Sequence, residues 1–512
     1  MHITLVTFDF IFPGIKMLSA YLRSKGIETS LVYLPPERVY DCSYRFSPEI
    51  KARLAGLTLR SDLVGFSVMT HNFRLAADLT DYLKGRTDKK IIWGGIHPTI
   101  SPEECLEHAD AVAIGEAEET LEELARRLGD GRDICETPGF WFKQGSEIVR
   151  NGLVPPPADL NCLPLPDIGY EGHFIREGED IVALDRERLR ALYMVNGLKD
   201  LKGNFYPAYL SVFSRGCPLV CTYCCNNRLA SLFGRDRQRV RTRSLDNILA
   251  EVGRARELIP ELKFITIQDD NFLAQPQEFI REFAERWKAG VGLPFKISGS
   301  VHFMDDKRIR PLVEAGLMHI EAGIQSGSHR LNREVYRRNI TTDKILEAAR
   351  VLNAFKDRLL PAYDFIFDNP YETSRDRLAT AQLISRLPKP YAFSSFSLVY
   401  FPGTEIYEMA RRDNLIRDES AQIFGKKTNQ FSLEKVSYLK LLSLLLPSLP
   451  GRISRPLLWR PLALFLDLRL WTPLFTASAR FLMWLRQKKV LRRANTSRFI
   501  ESSVSKADCG SQ

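Results

Sequence analysis

Residues 209–226 read YLSVFSRGCPLVCTYCCN. The first part, YLSVFSRG, is a strand rich in aromatic and β-branched residues that stops at Gly216. Four cysteines, Cys217, Cys221, Cys224 and Cys225, then crowd into nine positions. Cys42, Cys105, Cys135, Cys162 and Cys509 are scattered over the rest of the 512 residues, and the first four read as structural. Nine cysteines are too few for a disulfide scaffold. The N-terminus, MHITLVTFDF, has neither a basic run nor a small-residue cleavage site. No export signal is expected, and the chain is placed in a reducing cytoplasm. Clustered cysteines in that setting read as a metal or redox site.

Downstream of this loop, strand and helix patterns alternate. A helix is predicted over Ser244–Leu258, then strands KFITIQDDN, FKISGS, HIEAGIQSG, PAYDFIFD and FSSFSLVYF, with helical stretches between. About six such units in line predict a partial TIM-like (β/α) barrel over 207–411, whose chemistry belongs at the carboxyl ends of its strands. Upstream, residues 1–134 show the same alternation: strands HITLVTF, ETSLVYL, DLVGFSVMT, KIIWGG and DAVAIGE, with helices over Gly14–Lys25, Phe73–Lys84 and Glu118–Leu128. This is the pattern of a doubly wound, Rossmann-like parallel sheet, so the fold class is α/β. Between the two, residues 135–206 hold a short hairpin (PGFWFKQGSEIVRNG) and a Pro-rich stretch (VPPPADLNCLPLPD), read as a linker.

The composition is ordinary for a globular chain, with 45% hydrophobic and 26% charged residues. It excludes collagen-like, low-complexity and wholly disordered classes. A mean hydropathy of -0.18 excludes a polytopic membrane protein. The net charge is +10, but Leu433–Arg498 alone carries thirteen Lys/Arg against two acids. The remainder is near neutral, so a nucleic-acid partner with a broad basic face is not expected. The region 412–498 is predicted mostly helical and basic, rich in Leu, Trp and Arg, and 499–512 is predicted disordered. Pro447, Pro450, Pro456, Pro461 and Pro473 interrupt it, and no apolar run is long enough to span a bilayer. It reads as a helical cap on the barrel, as a segment on a membrane surface, or as a partner-binding region.

Three thiolates on one short loop can each bind an iron of a cubane cluster, leaving the fourth iron open for substrate or cofactor. No fourth ligand stands at the spacing of a zinc finger or ribbon, and the plain alternative is a set of buried small side chains. CPLVCTYC matches the CxxxCxΦC signature of the radical S-adenosylmethionine (SAM) enzymes, with Tyr223 at the aromatic position. The resemblance continues through QDDN (Gln268–Asn271), GIQSG (Gly323–Gly327) and FPGTEIYEMA (Phe401–Ala410). Upstream, VGFSVMTHNFRLAADL, IIWGGIHPTISPEE and DAVAIGEAEETL resemble the cobalamin-binding domain that precedes the radical domain in cobalamin-dependent radical SAM enzymes.

The resemblance implies a [4Fe–4S] cluster on Cys217, Cys221 and Cys224. It implies SAM contacts at Tyr223, Asp269, Asp270, Gln325 and Ser326, although strand-end carboxylates also serve as simple caps. It also implies cobalamin contacts at Thr70, His71, Gly94, Gly95, His97, Gly115 and Glu116. The DxHxxG loop that gives many cobalamin proteins an axial histidine is missing, since Asp9–Gly14 reads DFIFPG. His71 and His97 read better as loop hydrogen-bonders than as cobalt ligands. Arg337 and Arg338, in VYRRN, stand where the family often has a basic residue, and surface salt bridging is an equal reading. Cys225 reads as a small buried side chain.

The implied activity starts from a 5′-deoxyadenosyl radical. It ends in methylation of an unactivated carbon, or phosphorus, of a small natural product, lipid or pigment precursor. Oxidation or cyclisation by the same parts is the runner-up, and a non-catalytic cobalamin or redox sensor is the reading from a different class. Implied partners are a small-molecule or lipid-like substrate and an electron donor such as flavodoxin or ferredoxin. No catalytic residue beyond the cofactor contacts is legible.

Overall fold

In the computed structural model, residues 1–37, 43–234, 239–426 and 433–492 are described; Cys42, Cys509 and the segment 499–512 lie outside them. The chain builds two sheets. The first contains β1 (His2–Thr7), β2 (Glu28–Tyr33), β3 (Leu63–Ser67), β4 (Lys90–Gly94), β5 (Ala111–Ala113), β6 (Phe140–Gln144), β7 (Glu147–Arg150), β8 (Phe174–Glu177) and β9 (Asp180–Ala183). Their spatial order is β7-β6-β5-β4-β3-β1-β2-β8-β9. The stretch from β5 to β2 is all parallel. In such a sheet both faces are covered by helices, and β1 is accordingly buried from Ile3 to Thr7. The order reverses between β1 and β3, which makes the carboxyl edge of these strands the expected ligand site.

The segment read as a linker does more than connect. Its hairpin, β6–β7, extends the sheet antiparallel to β5. A second hairpin, β8–β9, extends the other edge, with β8 parallel to β2. The helix Arg186–Val195 follows, capped by the Asp185 carboxylate, which accepts from the Arg188 backbone N–H.

The second sheet contains β10 (Gly197–Lys199) and β11 (Phe205–Ser211). Beside it β12 (Ser214–Arg215) and β13 (Arg241–Thr242) form a small ribbon. The sheet continues with β14 (Phe264–Ile267), β15 (Phe295–Ser300), β16 (Leu317–Gln325), β17 (Leu360–Phe367) and β18 (Ala392–Ser397). The order β10-β11-β14-β15-β16-β17-β18 follows the sequence. From β11 to β18 every pairing is parallel and each connection carries a helix, giving the expected partial barrel. Along β16, Ile320, Ala322 and Ile324 are buried under the helices while Glu321, Gly323 and Gln325 are half-buried on the inner side. The barrel interior is therefore polar on a pleat that alternates with an apolar outer layer.

The C-terminal region is helical as expected: Tyr438–Leu445, Gly451–Leu457, Arg460–Leu466 and Thr472–Arg492. Pro450 at an N-cap and Pro461 in a first turn mark helix starts, while Pro456 lies inside Gly451–Leu457. Tyr438–Leu445 and Arg460–Leu466 pack on helix Ser374–Arg386 of the barrel, and Thr472–Arg492 packs on Tyr438–Leu445. Arg377 reaches Asp467 at 2.6 Å, and Lys440 pairs with Asp368 just past β17.

Candidate functional site

The cysteine loop leaves the barrel at the ribbon β12. Asp269, at the end of β14, clasps its root: the carboxylate accepts from the backbone N–H of Phe213 (2.7 Å) and Ser214 (3.1 Å) and from the Ser214 hydroxyl (2.6 Å). Burial pushes the Asp269 carboxyl up to about 7 against these bonds. Asp270 is exposed and accepts from the Gly216 N–H at 2.9 Å. Gly216 itself turns with φ +101°, a backbone that favours glycine. The far end of the loop is tied down at Thr222, whose hydroxyl donates to the Val335 carbonyl (2.6 Å) and whose carbonyl accepts from Ile406.

Cys217, Cys221 and Cys224 all carry free thiols, and each lies within electrostatic reach of at least one of the others. Burial pushes the Cys217 thiol up to about 12. Cys224 is raised by its hydrogen bond with Cys225 and by burial. Among the described residues no three His, Cys, Asp or Glu side chains converge tightly enough for a single ion. Three cysteines that each take a different iron of a cubane need no such convergence. The donor set fits a cluster: three soft sulfurs, no disulfide, and a nearby cation to offset thiolate charge. That cation is Arg338, which is 5% exposed. It donates to the Tyr223 hydroxyl (2.9 Å), the Gly323 carbonyl (2.7 Å) and the Ser300 hydroxyl (3.3 Å), and its charge acts on Cys221 and Cys217. Its neighbour Arg337 points away to a surface pair with Glu405 at 2.6 Å.

Tyr223 packs edge-on against Tyr336 beneath the loop. Gln325 closes β16 with φ +70° at a register shift, and its side-chain amide lies against Gly323. Ser326 is turned into the core instead, bonded to Thr380 (3.2 Å) and accepting from the Ser328 N–H. Deeper in the barrel, Lys296 pairs with Glu321 at 2.5 Å, and Ser298 donates to the same carboxylate. Asp364 stands next to them, its carboxyl pushed up to about 7 by burial and by Glu321. This polar floor was not legible in the sequence. Lys296, Glu321 and Asp364 come from three strands and share no motif.

A mostly apolar cavity of about 290 Å³ lies at the carboxyl edge of the first sheet, between it and β11–β12. Ser67, Gly94, Gly95, Gly115 and Glu116 line it, facing Val212 and Arg215. Gly95 has φ +101°, and a Cβ there would stand 3.0 Å from the Val68 carbonyl oxygen. A Cβ on Gly115 would come within 2.5 Å of Phe233, from the helix that follows the cysteine loop. These two glycines are required by the protein's own Val68 and Phe233, while the mostly apolar lining suits a large, partly apolar cofactor, part of it in the cavity and the rest at its mouth. Glu116 is bound by Arg215 (2.7 Å) and Arg241. Burial pushes its carboxyl up, but the two arginines outweigh this and hold it below the usual range. Arg215 also reaches Glu118 at 2.7 Å, so one cluster clamps the first sheet to the ribbon β12–β13.

Thr70, His71 and His97 are not among the cavity's lining residues. His97 is fully buried, hydrogen-bonded to Thr70 at 3.2 Å and edge-on to Phe73. Burial drives the His71 pKa down to about 4, so its ring is neutral.

The model of the B12 binding domain matches residues 3–125, and that of the Radical SAM superfamily matches residues 211–384. The chain belongs to the cobalamin-dependent radical SAM enzymes. An uncharacterized methyltransferase of Pyrococcus horikoshii is 25% identical over 69% of this chain and 70% of its own length. A bacteriochlorophyllide d C-12(1)-methyltransferase of Chlorobaculum tepidum is 23% identical over 69% of this chain and 68% of its own. The fold of this radical SAM enzyme is shared with the methyltransferase TsrM of Kitasatospora setae, solved with cobalamin and a [4Fe–4S] cluster (TM-score 0.61, 18% identity, 80% of this chain and 75% of that one). No helix among the described residues is long and apolar enough to cross a membrane.

Proposed function

We propose that this radical SAM enzyme transfers a methyl group to an unactivated carbon, or to phosphorus, of a small natural product, lipid or pigment precursor. The observation that carries the reading is the placement of three free cysteines at the open end of the half-barrel, with Arg215 of the same loop lining the glycine-edged cavity of the B12-binding sheet. Relatives named as methyltransferases support methyl transfer over oxidation or ring closure. When bound, the cluster and SAM supply hydrogen abstraction and cobalamin supplies a methyl carrier.

In this reading Cys217, Cys221 and Cys224 hold three irons, and Arg338 offsets their negative charge from below. Tyr223, Asp270 and Gln325 face SAM. Asp269 and Ser326 act through the loops they brace, one at the root of the cysteine loop and the other behind Gln325. Gly94, Gly95 and Gly115 let the corrin approach the backbone, with Glu116 held at that rim by Arg215 and Arg241. Thr70, His71 and His97 support the strand ends beside it. Lys296, Glu321 and Asp364 present hydrogen-bonding groups to the polar end of a substrate inside the barrel, where exclusion of water protects a radical. Reducing equivalents come from a donor such as flavodoxin or ferredoxin in the cytoplasm.

Anaerobically reconstituted protein, given SAM, cobalamin and a reductant, tests the proposal. Release of both 5′-deoxyadenosine and S-adenosylhomocysteine, the second only with cobalamin, is the expected result. 5′-Deoxyadenosine alone would favour an oxidoreductase or cyclase. An iron-loaded protein that never cleaves SAM would favour a sensor.

A further inference from the structure

In a helix on a protein surface the large apolar side chains normally face the core. The last two C-terminal helices depart from this, although Leu464, Leu466 and Phe475 still pack on the core. In Arg460–Leu466 the side chain buried inward is Ala463, at 0% exposure, while Leu462 and Phe465 face out. In the last helix, Thr476 and Ala479 face inward while Leu474 and Phe481 are exposed. Between the helices, Trp459 and Leu470 are 63% and 77% exposed. Of eighteen large apolar residues exposed among the described residues, twelve lie within 445–484. So dense an exposed set marks an interaction surface rather than ordinary surface scatter.

The charge on the same stretch is one-sided. Arg452, Arg455, Arg460, Arg469 and Arg480 are all exposed, and none is ion-paired among the described residues. The only acid between 445 and 484 is Asp467, which is buried, paired with Arg377 and accepting from the Leu439 N–H. The inner side is firmly attached to the barrel: besides these bonds, Lys389 donates to the Leu449 carbonyl (2.9 Å) and Tyr438 to that of Leu457 (2.9 Å).

We propose that the outer side of residues 445–484 docks the enzyme on an anionic phospholipid surface. Exposed Trp, Phe and Leu enter the headgroup boundary while the five arginines meet lipid phosphates. No helix among the described residues is long and apolar enough to cross the bilayer, so attachment is peripheral. A second copy of the chain is the poorer occupant, because pairing this face with itself would bring ten unpaired guanidiniums together without an acid to meet them.

Co-sedimentation of the full-length protein with phosphatidylcholine–phosphatidylglycerol vesicles tests this, and needs no bound cofactor. Binding is expected to anionic vesicles, to be weak on phosphatidylcholine alone, and to fall with salt. Each of Arg460→Glu, Arg469→Glu and Arg480→Glu is expected to lower the bound-to-free ratio by about fivefold or more. Leu470→Ser is expected to lower it with no change in thermal midpoint, since Leu470 packs on little. Three results would overturn the proposal: no binding to anionic vesicles, binding that all four variants retain, or a dimer in sedimentation velocity that the same variants dissolve.

Discussion

Two adjacent arginines show how finely the site is set. Arg337 has φ +52°, and from there Arg337 turns to Glu405 at the surface while Arg338 goes under the cysteine loop. Arg338→Gln removes a buried positive charge beside Cys217 and Cys221. The reduction potential of the reconstituted cluster should shift to more negative values in a spectroscopic titration, because charge near a cluster sets its potential. Arg337→Gln should leave it unchanged. Cys221→Ala should abolish iron–sulfur absorbance and cut iron content while the fold survives, as the thiol is one of three ligands and sits on a loop. The cysteines were legible because spacing within one loop is a local property. The separate fates of Arg337 and Arg338 were not, since one backbone torsion decides them.

Among the elements, the cysteine loop depends on the Asp269 clasp. Ser214→Ala deletes the 2.6 Å bond and leaves a buried carboxylate with one donor fewer. It should cost about 1–3 kcal/mol, read as a lowered thermal midpoint together with weaker iron retention. Most elements were readable in advance for equally local reasons. Helix Phe73–Lys84 falls where its apolar periodicity put it, and Ser244 caps Leu245–Leu258 by accepting from the Asn247 N–H. The hairpin β6–β7 was legible in PGFWFKQGSEIVRNG, but β8–β9 was harder. Its strands are four residues long, and β8 finds its partner β2 across more than a hundred residues, so nothing nearby marks them as part of the first sheet. Asp269 and Ser326 were singled out by position as SAM contacts, and both side chains are bonded to loops of the protein. Their hydrogen bonds, which decide whether they face a ligand or a loop, are tertiary.

For the molecule as a whole, the first sheet meets the ribbon β12–β13 beside the second through Glu116, Arg215 and Arg241 around the cavity. Glu116→Gln strips one partner from the buried Arg241 and from the half-buried Arg215. It should cost about 2–3 kcal/mol, seen in thermal unfolding, and should weaken cobalamin retention on desalting. The barrel floor gives a pH signature. Asp364 has its carboxyl raised from 3.8 to about 7, with burial the largest cause. The folded state keeps a proton that the unfolded chain releases, so this group lowers stability as pH rises from about 4 to 7. Asp364→Asn should flatten that part of the thermal midpoint against pH. The barrel was visible in the order of its strands, whereas its floor and the clamp between sheets join residues up to 125 positions apart. In the proposed enzyme three cysteines leave one iron open to SAM. Electron paramagnetic resonance of the anaerobically reduced, reconstituted protein reads that vertex: a [4Fe–4S]⁺ signal whose g values move on addition of SAM is expected, and g values that stay fixed would overturn the assignment.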